Sequence, residues 1–366
     1  MPSSGSTTSS YEVLQRKVAS KLRQDGVGPG DRLPSERELA DHFKVSYLTL
    51  RRAIGEMVDR GILERRPRSG TYLKPEGHRR LNNQSLMLVR MGYESDMAKR
   101  FISLGMQESQ DRGWEPHVVQ MDRVQDRVLI QALVSGEPAL ILSAPDAISP
   151  DIMTALQNAK GRAVLVGNRL DAMGIPSIIG DDAQGIRLAM RHLKEYGHRH
   201  IGVISYDPKY TVDQLQLSIW KSCMQDVEFD ESQYVLGVEP PRFACPLDHT
   251  YKKMNQWLVR RPKRITALLC LVDEMIPAVI RALIDAGLQI PADMSLVSFG
   301  NTSVSCYANP AVDSIDPHME LHMKYGMNMI AQALNGRHPQ ETGNMLIQIE
   351  PELVLRQSVA SLVEVS

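Results

Sequence analysis

The stretch Leu33 to Arg52, LPSERELADHFKVSYLTLRR, restricts most narrowly what this chain can fold into. Pro34 disfavours helix at Leu33. Ser35 is a good N-cap, and Glu38 three residues on completes a capping box that satisfies two backbone donors, so a helix starts there. Leu39 and Phe43 give it an inward face at i, i+4, and Lys44-Val45 make a turn. Ser46 then caps a second helix whose Leu50, Ile54, Met57 and Val58 form one apolar stripe. Tyr47, Leu48, Arg51, Arg52 and Gly55 lie on the opposite face. Two guanidiniums and a phenol thus project from the first half of the second helix, which suits entry into a major groove. A solvated basic helix face is the bland alternative, and the flanking sequence argues against it. Tyr11, Leu14, Val18 and Leu22 mark an amphipathic helix before the motif, closed by Gly26-Val-Gly-Pro-Gly30. After it, Ile62 to Arg66, Pro67-Arg-Ser-Gly70 and Thr71 to Leu73 read as a hairpin with a basic tip. Three helices and a wing are predicted over residues 11 to 74.

Charge supports that division. The chain has 366 residues and a net charge of -1, but residues 11 to 74 hold 14 Lys and Arg against 9 Asp and Glu, so the first domain is basic and the remainder acidic. The length implies at least two domains. Cys223, Cys245, Cys270 and Cys306 are far apart and form no metal-ligand spacing, which predicts free thiols in a reducing compartment. Residues 1 to 10, MPSSGSTTSS, read as a disordered tail, not a signal peptide, and no apolar run is long enough to span a bilayer. The expectation is a cytoplasmic protein with no membrane partner.

Lys74 to Gln84 has Pro, Gly, charges and amides without apolar periodicity, so residues 75 to 84 read as a linker with no helix of their own. From residue 85 to 366, short apolar runs alternate with amphipathic helical stretches. Strands are predicted at Leu86 to Val89, His117 to Met121, Ala139 to Leu142, Ala163 to Val166, Ile201 to Ile204, Tyr234 to Val238, Ala267 to Leu271 and Leu296 to Phe299. This is an α/β pattern, and it implies doubly wound parallel sheets whose ligands sit beyond the carboxyl ends of the strands.

PGDRLPSERELA (Pro29 to Ala40), VSYLTLRRAI (Val45 to Ile54) and RSGTYL (Arg68 to Leu73) resemble the winged helix-turn-helix of the GntR family of bacterial transcription regulators. The resemblance implies that Arg37 contacts the DNA backbone, that Ser46, Tyr47, Thr49 and Arg51 make base and phosphate contacts, and that Gly70 lets the wing approach the minor groove between Arg66 and Arg68. Ser35 and Arg52 complete the expected DNA-facing set. Many members carry Arg where this chain has Tyr47, so the base read there differs; a tyrosine can still donate to phosphate or pack on a thymine methyl.

A second resemblance, to the effector domain of the LacI/GalR repressors and the periplasmic sugar-binding proteins, rests on Gly180 to Ser205, Thr266 to Asn301 and Ile349 to Ser358. The combination is similar to the arabinose-repressor branch of the GntR family. It implies two lobes closing on a small polar effector, the first holding residues 85 to 175 and a segment near 308 to 335, the second holding residues 176 to 307 and the last strands. Asp273 corresponds to a sugar-hydroxyl acceptor and can also cap the helix from Glu274. Gln216 stands where an arginine is usual, and Gly300-Asn301 where Asp-Asp is usual, so the pocket lacks two charged ligands. Tyr93 is either a stacking residue or a surface tyrosine, and Asn168 and Arg169 follow a strand on the cleft side. The effector set is therefore Asp273, Asn301, Gln216, Tyr93 and Arg169.

His192, His198 and His200 read as helix-end packing and not as a metal cluster, and His318 and His322 as a helix packing face without a third ligand. No catalytic motif is found, and no cofactor or metal is expected. The predicted function is an effector-controlled repressor, a homodimer on palindromic double-stranded operator DNA. A regulator that binds DNA without a ligand and uses a degenerate pocket only for dimerisation is the alternative.

Overall fold

The computed structural model describes residues 14–15, 17–19, 21–22, 25–67, 69–75, 77, 85–91, 95–121, 126–142, 148–206, 211–239, 246–343 and 345–362. The expected tail, Tyr11, Arg68, Tyr93, Cys245 and most of the linker lie outside these residues.

In the N-terminal domain, Leu14, Val18 and Leu22 are helical and buried. Helix α1 (Glu36–Phe43) begins at Ser35, whose Oγ accepts from the Glu38 N–H at 3.2 Å while the Glu38 carboxylate accepts from the Ser35 N–H at 2.8 Å. These bonds hold the Glu38 carboxyl below its ordinary pKa. Helix α2 (Tyr47–Asp59) buries Leu50, Ala53, Ile54 and Met57. Strands β1 (Leu63–Arg66) and β2 (Gly70–Leu73) pair antiparallel with Leu63 opposite Leu73. The chain before α1 runs along β2: Gly30 N–H donates to Leu73 O at 2.7 Å and Leu33 N–H to Thr71 O at 2.9 Å. The linker departs from expectation where it is described, because Pro75 and Gly77 have helical backbone. Gly77 is buried so closely on the first domain that a Cβ there would stand 1.9 Å from Ile62 O.

Two six-stranded sheets follow. The first lobe runs β3 (Ser85–Met91), α3 (Asp96–Asp111), β4 (Glu115–Met121), α4 (Asp126–Val134), β5 (Ala139–Leu142), α5 (Pro150–Asn158), β6 (Ala163–Val166) and β7 (Ser177–Gly180). The second runs α6 (Asp182–Glu195), β8 (Ile201–Tyr206), α7 (Thr211–Cys223), α8 (Glu231–Tyr234), β9 (Val235–Val238), α9 (Pro246–Arg260), β10 (Ala267–Cys270), α10 (Ile276–Asp285), β11 (Ser295–Phe299), α11 (Ser303–Cys306) and β12 (Asp313–Asp316). Helix α12 (Met319–Leu334) and β13 (Leu346–Ile349) return to the first lobe, and β14 (Glu352–Val354) ends in the second. The sheet orders are β13-β7-β6-β5-β3-β4, all parallel, and β14-β12-β11-β10-β8-β9, parallel except at β12/β14. Both faces are covered, as a parallel sheet requires. Met87 and Val89 of β3 enter one apolar cluster with α4 and α5, while Leu86 and Leu88 enter another with Phe101 and the methionines of α12.

The lobe boundaries differ from expectation. β7 belongs to the first sheet, so that lobe extends past residue 175, and β13 joins it from far along the chain, a pairing that no local pattern signals. Conversely, β12 belongs to the second sheet, and only α12 of the segment near 308 to 335 returns to the first. Its sequence, DSID, hides a buried strand because both carboxylates are satisfied internally: Asp313 accepts from the Arg356 N–H at 2.9 Å, and Asp316 from the His318 N–H at 2.8 Å. The chain passes between the lobes three times, at Gly180–Asp182, Asp316–Met319 and Ile349–Glu352. No described helix is long and apolar enough to cross a membrane.

Candidate nucleic-acid interface and effector cleft

The exposed face of α2 carries Tyr47, Leu48, Arg51 and Arg52, with Tyr47 40% and Leu48 74% exposed. The Arg51 guanidinium lies 6.0 Å from the centre of the Tyr47 ring, a cation–π distance that groups the two at the first turn. The Ser46 Oγ accepts from the Thr49 N–H at 3.1 Å and lies 2.7 Å from the Thr49 hydroxyl, so these two residues cap the helix. Arg52 pairs with Glu56 at 3.6 Å, one turn along. Arg37 projects from the first turn of α1, exposed. In the wing, the Arg66 guanidinium stacks 4.1 Å above the Tyr72 ring and its Nε donates to Glu64 at 2.6 Å. Gly70 has φ +122, a backbone that L side chains rarely adopt. α1, α2 and the wing thus present Arg37, Tyr47, Arg51, Arg66 and Gly70 on the surface of one small domain, with Ser35 engaged in the α1 cap.

Among the described effector candidates, Asp273, Asn301 and Arg169 follow the carboxyl ends of strands whereas Gln216 lies within α7, and most of their polar atoms are engaged. Asp273, after β10, is buried; its Oδ2 accepts from the Thr302 N–H at 2.6 Å, the Thr302 hydroxyl at 2.8 Å and the Ser305 hydroxyl at 3.0 Å. It therefore anchors α11, and its Oδ1 is buried without a hydrogen-bond partner. Gly300, after β11, has φ +137, and a Cβ there would stand 3.1 Å from the Asp273 Cβ. A residue with a side chain would strain the backbone and press on that carboxylate. The Asn301 side chain donates to Asp316 at 2.7 Å and accepts from Arg356, and Gln216 donates to Asp182 at 2.9 Å. Burial pushes the Asp182 carboxyl above its ordinary value, and the Gln216 hydrogen bond opposes the shift. In the first lobe, Asn168 after β6 is buried with an unpartnered Nδ2, whereas Arg169 is exposed and paired with Asp171 at 3.1 Å.

Among the described residues, two ties bridge the lobes that the sequence does not reveal. Glu274 accepts from the Asp96 N–H at the start of α3, at 3.0 Å, and from the Tyr206 hydroxyl. Arg100 of α3 donates to the carbonyl oxygens of Gly300 at 3.2 Å and Asn301 at 3.1 Å and pairs with Glu320. All are ordinary surface types in the sequence, and only the closing of two distant segments gives them partners.

A model of the bacterial regulatory proteins of the GntR family matches residues 10–73, and one of the periplasmic binding protein-like domain matches residues 190–359. The chain carries a GntR-family winged helix-turn-helix and a periplasmic-binding-protein-like domain. An arabinose metabolism transcriptional repressor of Geobacillus stearothermophilus is 25% identical over 367 residues, 96% of this chain and 98% of that protein. Among solved structures, the lac repressor dimer bound to operator and the anti-inducer ONPF has a TM-score of 0.62 at 17% identity, covering 76% of this chain and 95% of that one. The transcriptional regulator CelR–cellobiose complex has a TM-score of 0.61 at 18% identity, covering 89% and 100%. At these identities the structures establish the fold alone.

Two of the histidines singled out in the sequence are packed internally. His192 is buried 3.1 Å from the Asp313 carboxylate, and His198 is held by Thr266 and Ser295, each at 2.9 Å. Asp316, His318 and Glu352 bring ligand atoms within 4.8 Å of one another. Both Asp316 oxygens already accept hydrogen bonds, and the positive end of the α12 dipole disfavours a cation there.

Proposed function

We propose that this chain is a transcriptional repressor whose operator affinity is set by a small neutral polyhydroxylated effector between the two lobes. The observation that carries the reading is the union in one chain of an exposed Tyr47–Arg51 face on a winged helix and a two-lobed domain that holds, beyond the end of β10, the buried, half-satisfied Asp273 carboxylate. A carboxylate oxygen without a donor costs on the order of 1 to 3 kcal/mol, which a ligand hydroxyl relieves. Two copies on a two-fold symmetric operator supply the two readers that a palindrome needs. Ser35, Arg37, Ser46, Tyr47, Thr49, Arg51, Arg52, Arg66, Arg68 and Gly70 are the proposed DNA set, and Asp273 with Asn168 the central effector pair. By linkage, an effector that weakens DNA binding is itself weakened by DNA.

The test is operator selection from random DNA, followed by fluorescence anisotropy with and without a panel that includes arabinose and cellobiose. A panel member that changes operator affinity in the wild type, and does nothing in Asp273→Asn, supports the reading. The engagement of Gln216 and Asn301 within the protein favours a second one, in which the chain binds DNA without a ligand. Operator affinity indifferent to the whole panel would select it.

A further inference from the structure

A cleft of about 520 Å³ opens between the first turn of α1 and the wing, and Arg32, Arg37, Arg65 and Arg66 line it. Two of the four are neutralised by protein carboxylates: Arg65 donates to Glu36 at 2.6 Å and Arg66 to Glu64 at 2.6 Å. Arg32 and Arg37 have no hydrogen-bond or ion-pair partner among the described residues. Arg32 feels the Glu38 carboxylate through space without a direct bond to it, and Arg37 makes no ion pair among the described residues, so two guanidiniums on one concave surface keep free donors and concentrate anions there.

Arg32 is also held in place. Its backbone bridges to Tyr72 of β2 in antiparallel fashion, and its guanidinium lies against Gly70, where a Cβ would stand 2.7 Å from the Arg32 Nε. The bare glycine therefore does two things: it allows φ +122 and it makes room for a guanidinium close against the wing backbone. A cation fixed by the fold loses less side-chain entropy on meeting an anion than a freely rotating one.

We infer that this cleft is a seat for one backbone phosphate of duplex DNA, with Arg32 as a positioning residue that clamps the phosphate against the wing opposite Arg37. The inference rests on the chain being a DNA-binding regulator and adds a contact outside the recognition helix and the wing tip. A phosphate contact of this kind fixes the register of the wing on the duplex and carries no base information.

The experiment is the salt dependence of binding by the full chain, measured by anisotropy on a selected operator and on an unrelated duplex. For Arg32→Gln, the slope of log affinity against log salt should be shallower by about 0.9 to 1, and affinity should fall by the same factor on both duplexes. Arg32→Lys should restore the slope, because it restores the charge. Arg32 is exposed, so melting temperatures should match the wild type; if that of Arg32→Gln falls, the lysine variant decides between charge and folding. A wild-type slope in Arg32→Gln overturns the seat and leaves the regulator reading intact. Loss confined to the operator also overturns it, since Arg32 would then read a base. A wild type whose binding to every duplex is indifferent to salt overturns both.

Discussion

On the N-terminal domain, among the described residues, the Arg37 guanidinium meets no protein acceptor and the Arg51 guanidinium meets only the Tyr47 ring, whereas in the cleft Gln216, Asn301 and one oxygen of Asp273 are all bound to neighbours. The difference teaches what each surface is built to meet. A duplex presents a fixed lattice of charge, and side chains can wait for it in water at little cost. A buried cleft must satisfy its polar groups internally or leave them to a ligand, and only Asp273 Oδ1 and Asn168 Nδ2 among the described candidates are left so.

The largest effect that sharpens this contrast is expected for Asp273→Ala. Three donors, the Thr302 N–H and the Thr302 and Ser305 hydroxyls, lose their acceptor, and the second lobe should lose about 3 kcal/mol of unfolding free energy in urea titrations without any effector. An unchanged midpoint would mean that the carboxylate serves the ligand alone and that the two surfaces are more alike than drawn. On the other side, Arg51→Ala should leave the urea midpoint in place and weaken operator binding by roughly 1 to 3 kcal/mol. If stability fell instead, the guanidinium would be a structural group and the contrast would break there. The smallest effect is in pH. Burial holds His198 below its ordinary value, so on acidification the unfolded chain takes up this proton first. Its contribution to stability is present above the unfolded value of about 6.5 and declines as pH falls below it, until the folded value is passed. Melting curves between neutral and mildly acid pH should show the decline, and His198→Gln should flatten it.

The same contrast governs what could be read from sequence. The Ser35–Glu38 capping box, the Ser46 cap, the α2 stripe, the hairpin and eight of the strands are local patterns, and the structure has them within a residue or two. β7, β13 and β14 are three or four residues long and pair with segments far along the chain, and DSID of β12 looks polar, so periodicity passes over all four. In the cleft, Asp273 is recognisable as a carboxylate at a strand end. Its bond to Thr302, the tie from Glu274 to Asp96 and the Arg100 bridge to Gly300 are products of tertiary closure and have no local signature. Arg32 illustrates the same limit within the legible domain. Its spacing is unremarked in the motif, and only the approach of Gly70 gives it a fixed place.

Three crossings between the lobes, at Gly180–Asp182, Asp316–Met319 and Ile349–Glu352, act as three pins along one edge of a door. Sliding or twisting the lobes apart would shear all three at once, while swinging about the line of pins bends each only slightly. If the proposed effector moves the lobes, the cleft would send one number, the angle of the swing, and the same angle would displace β3, the strand that follows the linker in the chain. On the proposed reading, a ligand's chemical identity would be compressed into that angle before the DNA-binding end could sense it.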